Sequence, residues 1–366
     1  MSAKIVVDAR TLRDGSTGRY VERLLHHLQQ VDFQNDYTVL LKPGDFDGWQ
    51  PDKSNFEKLA CPYREFTFAE QLGFLGQLNN LKPDLVHFIM TQQPILYRGK
   101  TVTTIHDLTT VRFDNPAKNW LVYKFKQLVY GIVIKIVARK SQRVITPSQF
   151  VKYDLQNFTS VDPTKVQVIY EAADKIEESP EAISKLKGKS FILYVGRALP
   201  HKNLERLVDS FTGLKIKYPN LQIVLAGKLN ANYQQLQAYV AEKQVKDVVF
   251  TDYVSDAELR WLYENASAYV FASLSEGFGL PPLEAMQYGL PVAASQHTCI
   301  PEICRDGAIY FDPLDIESMS EQIGKILDNK ALGEQLAKNG RKVVKQYAWD
   351  KTAKQTLEIY EQALTT

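Results

Sequence analysis

Short apolar runs rich in β-branched residues alternate along this chain with longer stretches whose apolar positions recur every three or four residues, the two periods that separate strand from helix. Residues 4–8 form the first such run. A segment over 10–19 containing Gly15 and Gly18 follows, after which Val21, Leu24, Leu25 and Leu28 lie on one face of a helix. Runs at 37–41, 84–89, 101–105 and 143–146 predict further strands, and 166–170 closes the first domain. Helices are expected near 69–81 and 117–140, and a short one over 149–157 begins after Ser148, a good N-cap. Residues 171–189, with Glu177-Glu178-Ser179-Pro180-Glu181, are polar, acidic and without strong periodicity, and read as a linker. The alternation resumes with strands at 191–195, 221–226, 248–251 and 268–271, and a helix is expected over 350–364. Strands separated by helices predict parallel sheets with right-handed crossovers, here in two α/β domains spanning 1–172 and 190–349.

The 117–140 helix is apolar on more than one side. Leu121, Phe125, Leu128, Val129, Ile132 and Ile136 make one stripe, which is assigned to the core. Tyr123, Tyr130 and Ile134 fall on another side, near Trp120, with lysines on the flanks. Residues 115–153 hold no Asp or Glu but eight basic residues, Lys118 and Lys152 among them. Aromatics beside lysines suit an anionic bilayer, so residues 117–143 are expected either to touch a membrane or to be a buried helix with a solvated basic edge.

Composition adds exclusions. A chain of 366 residues is long for one core and suits two domains, and 45% hydrophobic with 23% charged residues is ordinary for a globular protein. A formal net charge of +2 gives no reason to invoke nucleic acid. Cys61, Cys299 and Cys304 are scattered and lack metal-ligand spacing, which favours free thiols in a reducing compartment. The start enters a strand without a signal-peptide pattern, and no apolar run approaches the roughly 18 residues of a spanning helix. A cytoplasmic protein is expected. Asp45-Phe46-Asp47 sits between Pro43-Gly44 and Gly48, reads as a turn, and is not expected to hold a metal.

The chemistry concentrates in residues 275–295. An apolar run precedes them, Gly277 and Gly279 free the backbone around Phe278, and Leu280-Pro281-Pro282 suits the first turn of a helix. A helix start behind a glycine turn is a phosphate site. Glu276 in the turn and Glu284 about one turn into the helix flank it, and carboxylates there suit diols, since each accepts two hydrogen bonds. Upstream, Gly196-Arg197 ends a strand and Lys202 follows, two cations suited to a diphosphate. Phosphate plus diols describes a sugar nucleotide. The spacing of Gly15 and Gly18 does not meet the dinucleotide fingerprint, so a nicotinamide cofactor is disfavoured. Ser255 followed by Glu258 predicts a capping box, and Asn203 a cap.

Glu276 and Glu284 in Glu-Gly-Phe-Gly-Leu-Pro-Pro-Leu-Glu-Ala-Met resemble the paired-glutamate signature of family 4 retaining glycosyltransferases of the GT-B fold. The resemblance covers both halves and is stronger in the second, where residues 291–294, 298–302 and 308–313 also follow the family pattern. It implies two Rossmann-like domains whose parallel sheets face a central cleft, with the C-terminal helix, 350–366, packing back on the first domain. It implies that Glu276 binds the donor sugar and Glu284 the ribose, that residues 277–280 hold the distal phosphate, that Arg197 and Lys202 neutralise the leaving group after Gly196, and that Tyr253-Val254 holds the base through main-chain groups. In the first domain Gly18-Arg19-Tyr20 matches the end of the family's glycine loop. Thr103-Thr104-Ile105-His106-Asp107 matches a Thr-x-His-Asp whose His lies at the donor sugar. By itself a histidine at a strand end is more often structural, and His87 is read equally as a core residue or a site residue. The implied activity is transfer of a hexose from a nucleotide diphosphate sugar, with no metal or other cofactor, to a hydroxyl of a glycan or lipid-linked acceptor. The look of the second half suggests GDP-mannose. Peripheral contact at the inner membrane face is implied because several family members dock through this part of the first domain. An epimerase or phosphorylase of the same double fold, or a binder without catalysis, stays open.

Overall fold

Two wholly parallel sheets account for the strands of the described residues. The computed structural model describes residues 2–114 and 120–366; the expected start of the 117–140 helix and Lys118 lie outside the described residues. In the first sheet β1 is Lys4–Asp8, β2 Asp36–Leu41, β3 Phe56–Ala60, β4 Leu85–Phe88, β5 Thr101–Thr104, β6 Arg143–Thr146 and β7 Val166–Val168, in the order β3-β2-β1-β4-β5-β6-β7. In the second, β8 is Phe191–Val195, β9 Gln222–Ala226, β10 Val248–Asp252, β11 Ala268–Phe271, β12 Val292–Ser295 and β13 Ala308–Phe311, in the order β10-β9-β8-β11-β12-β13. Each sheet is laid outward from its first strand and then continues on that strand's other side. Ligands of such doubly wound sheets bind beyond the carboxyl ends of the strands, where the order reverses. These reversals fall between β1 and β4, and between β8 and β11.

Backbone contacts divide the chain into two units. The first is Met1–Val111, Phe125–Glu171 and Ala348–Thr366; the second is Arg112–Lys124 and Ala172–Tyr347. The helix Trp349–Thr365 therefore belongs to the first unit. Tyr360 OH lies 2.6 Å from His87 Nδ1, and Thr352 Oγ1 donates to Tyr170 O at 2.7 Å.

Several sequence expectations are corrected. Strand β3 was not expected, because as an edge strand it buries only Phe56 and shows no apolar alternation. The first helix begins at Gly15, so Gly18 lies in its first turn instead of a loop, and a Cβ at Gly18 would stand 2.3 Å from Leu12 O. Glycine is what lets the loop pass this close to the helix. The stretch 171–189 is not a free linker. Glu171 and Ala172 are buried, Ile176 N donates to Tyr288 OH, Glu181 N donates to Ala257 O, and Arg260 Nη1 donates to Glu178 O.

The helix Trp120–Lys140 turns the opposite way from its assignment. Gln127, Tyr130, Gly131, Ile134, Val137 and Ala138 are buried, while Leu121, Phe125, Leu128, Val129, Ile132 and Ile136 are exposed. Its inner face is chosen by fit: Gly131 admits the Phe158 ring, Thr91 Oγ1 donates to Tyr130 OH, and Gln127 Nε2 donates to Thr110 O. The bulky stripe is left to solvent. Among the described residues no helix is long and apolar enough to cross a membrane.

Candidate active site

The second unit gathers its chemistry at the reversal between β8 and β11. Gly196 follows strand β8, held at φ +148°, a conformation that favours glycine, and its amide donates to Ala226 O of β9 at 2.9 Å. Arg197 follows with its side chain exposed, and Tyr194 OH donates to its carbonyl. The turn Pro200–Lys202 is stapled to the β11 side by Leu274 N donating to His201 O at 2.7 Å. Lys202 Nζ then meets Glu276 Oε1 at 2.6 Å, with both side chains largely buried. Asn203 stands at the cap position, but in a left-handed conformation and without a capping bond. Its Nδ2 donates instead to Ala272 O and Pro313 O, a correction that makes Asn203 a clamp between the loops after β8, β11 and β13.

Glu276 is held on its other side by the segment after β12. Its amide donates to Thr298 Oγ1 at 3.3 Å, and the Cys299 thiol is shared between Glu276 O and Phe278 O, 3.3 and 3.4 Å away. Phe278 packs edge-on against Tyr347. Gly279 caps the helix Leu280–Gln287 at φ +92°, where a side chain would be strained and would press on Ile300. No side chain caps this terminus, and Pro281 and Pro282 bring no N–H to it, so the donors it presents come from the turn before it and from Leu280. Glu284 is buried four residues into the helix and accepts from Tyr263 OH at 2.8 Å. Two buried tyrosines register how close these charges lie. Burial, then neighbouring hydroxyls and the Glu276 charge, pushes the Tyr194 hydroxyl well up, with Arg197 opposing; burial and then the charges of Glu284 and Glu276 push Tyr269 up.

Arg197, Lys202, Glu276, Gly277, Phe278 and Gly279 thus belong to loops around one reversal point, with Leu280 and Glu284 in the helix that follows. Tyr253 and Val254 come from farther along the sheet. They follow β10, a strand that lies about 10 Å from β8 with β9 between. Tyr253 is 75% exposed, and Asp252 ties its loop back by accepting from Leu229 N. The Ser255–Glu258 capping box is complete. Asp45 lies in the turn Pro43–Gly48 and pairs with Arg13.

In the first unit His106 and Asp107 follow β5, beside the reversal between β1 and β4. His106 Nε2 donates to Ile89 O at 3.1 Å, Nδ1 faces Glu171 Oε1 at 3.3 Å, and the ring meets Tyr20 edge-on. Asp107 Oδ1 accepts from Thr109 N. His87 is a fully buried core residue, bonded to Tyr360 OH and Thr104 Oγ1; burial, and then the charge of His106, lowers it to about 3. Sequence reasoning missed Thr298, Cys299 and Glu171. Residues 298–302 follow the family pattern, but the roles of Thr298 and Cys299 escape local reading because both act on a turn more than twenty residues away.

Two doubly wound parallel units with a paired-glutamate turn define a glycosyltransferase of the GT-B class. Solved structures agree on the fold: sucrose-phosphate synthase of Thermosynechococcus elongatus at TM-score 0.79 and 19% identity, covering 99% of each chain, and Anabaena HepE with UDP and glucose at TM-score 0.74 and 17% identity, covering 98% of this chain and 99% of that one. The model described as Glycosyltransferase Family 4 matches residues 17–175, and that described as Glycosyl transferases group 1 matches residues 175–343. The chain belongs to the family 4 glycosyltransferases. Similar curated proteins include the O-antigen chain mannosyltransferase RfbU of Salmonella typhimurium, 32% identical over 63% of this chain and 62% of the relative. Others are O-antigen chain mannosyltransferase B of Escherichia coli, at 28% over 72% and 70%, and the MMP alpha-(1->4)-mannosyltransferase of Mycolicibacterium hassiacum, at 29% over 72% and 65%. The similarity thus spans about two thirds of these relatives' lengths.

Proposed function

We propose that the protein is a retaining, metal-independent mannosyltransferase that moves mannose from GDP-mannose to a hydroxyl of a glycan or lipid-linked glycan. The observation that carries this reading is the contact of Lys202 with Glu276 at the reversal point, beside an uncapped helix start. A carboxylate there accepts from sugar hydroxyls, while Lys202, Arg197 and the turn amides face the diphosphate. In the step itself the bond from the anomeric carbon to the diphosphate oxygen breaks, the acceptor oxygen bonds on the same face, and its proton passes to the departing phosphate. Similarity to mannosyltransferases supports the choice of sugar. Thermal-shift titration against GDP-mannose, UDP-glucose and other nucleotide sugars tests it, with the largest shift expected for GDP-mannose and EDTA without effect on turnover. Arg197→Ala and Glu276→Ala are each expected to lower turnover about 10²-fold. No shift with any nucleotide sugar, or wild-type turnover in both variants, overturns the reading.

The same reading includes docking on an anionic bilayer at the inner membrane face. Leu121, Phe125, Leu128, Val129, Ile132 and Ile136 project from the helix Trp120–Lys140 on its exposed side, bordered by Lys124, Lys126, Lys135 and Arg139. The absence of acidic residues from 115–153 gives this face the charge that anionic headgroups complement.

A further inference from the structure

We infer that Thr298 and Cys299 are positioning residues: from the loop after β12 they brace the backbone of Glu276 to Phe278, and so set where the Glu276 carboxylate and the turn amides stand at the donor. The brace has two parts. Thr298 Oγ1 accepts from Glu276 N at 3.3 Å, and the Cys299 thiol donates to Glu276 O and Phe278 O, 3.3 and 3.4 Å away. Ile300, next in the chain, closes on Gly279, where a Cβ would stand 3.0 Å from its Cδ1. Three consecutive residues thus grip the turn, while Lys202 holds the Glu276 side chain from the loop after β8.

The backbone of Thr298 is strained to make these contacts. Its φ is +57°, a left-handed conformation that a β-branched residue rarely adopts. Such strain persists only where the surroundings over-determine it, and it clusters at functional sites. Here Ser295 Oγ accepts from His297 N on one side of Thr298. On the other side the helix Ile300–Cys304 begins, with Ile303 N donating to Cys299 O. Cys299 is fully buried, and burial followed by the Glu276 charge pushes its thiol well up, so it keeps the hydrogen it donates. A trans peptide sets its N–H opposite its carbonyl, so the Phe278 carbonyl drawn to Cys299 turns the Gly279 amide away from that thiol. The brace thereby orients a turn amide as well as the carboxylate.

The identity of the donor rests on the proposed function; the brace itself does not. Binding of GDP-mannose and of GMP, which lacks the distal phosphate and the sugar, is measured by calorimetry in the wild type, Thr298→Gly, Thr298→Ser and Cys299→Ala. Hydrogen exchange at the Glu276 amide is followed by NMR in the same proteins. Thr298→Gly suits the left-handed backbone but removes the acceptor. Its melting temperature is therefore expected to hold while the Glu276 amide exchanges faster and GDP-mannose binds about tenfold more weakly at unchanged stoichiometry. GMP affinity is expected to stay the same. Thr298→Ser keeps the hydroxyl and is expected to restore both exchange and affinity, whereas Cys299→Ala should repeat the selective loss. Unchanged exchange at Glu276 in Thr298→Gly overturns the inference, as does equal weakening of GMP and GDP-mannose, the mark of a general loss of structure. Should Cys299→Ala fail to fold, the two Thr298 variants decide it. If the wild type binds neither nucleotide, the proposed function fails, and the exchange rates still judge the brace.

Discussion

Lys202 and Glu276 supply each other's counter-charge, so removing either one leaves its partner partly buried and unpaired. The charge-removing Lys202→Met and Glu276→Gln should therefore be non-additive, the double variant unfolding at a higher temperature than the sum of the single losses predicts. Strictly additive melting temperatures would mean the contact contributes nothing. His87 gives a prediction in pH. Its folded pKa, about 3, lies below the ordinary 6.5, so the unfolded chain takes up the proton first on acidification. The associated stability is complete above about pH 6.5 and falls by roughly 1.4 kcal/mol per unit towards pH 3. In urea unfolding, the wild type's margin over His87→Gln should shrink at that rate below pH 6.5; a margin independent of pH would contradict a buried neutral ring. At this scale the sequence was legible where chemistry and spacing coincide, as at Glu276, Glu284 and the Ser255 capping box. Thr298, Cys299, Asn203 and Glu171 were illegible because each matters through a partner distant in the chain, and their types are equally at home on a surface.

Elements were legible wherever an apolar pattern had one interpretation. Interior strands such as β8, β9 and β11 are short apolar runs because both faces are covered, while β3 at an edge has no such signature. The helix Trp120–Lys140 has apolar residues around most of its circumference, so periodicity cannot select the inner face. Its two faces should answer mutation oppositely. Phe125→Glu with Leu128→Glu should leave the melting temperature unchanged and abolish sedimentation with vesicles containing phosphatidylglycerol. Ile134→Ala, on the buried side, should cost about 2–5 kcal/mol of stability. If the wild type fails to sediment with such vesicles, the membrane role of this face is lost, and concentration-dependent dimerisation would assign it to a second copy.

At the scale of the whole molecule, the repeated strand order was predictable in kind, from alternation, but not in detail, since β3 was unseen and the segment after Glu171 was taken for a tether. The position of the helix Trp349–Thr365 came from resemblance alone; its own periodicity names no partner. Stopping the chain after Tyr347 removes Tyr360 from His87 and Thr352 from Tyr170, both inside the first unit. Such a protein should lose protection from hydrogen exchange in β1 to β7 while the second unit keeps its own. Equal protection in both would show that the helix is dispensable.

That helix also sets a timetable. Because the first unit is finished by residues that come after the whole of the second, a nascent chain emerging from the ribosome can complete the later-encoded unit while the earlier one still waits for its closing piece. The order of maturation is then the reverse of the order of translation, and the waiting β-sheet is the part of the newborn polypeptide that a chaperone would have most reason to shield.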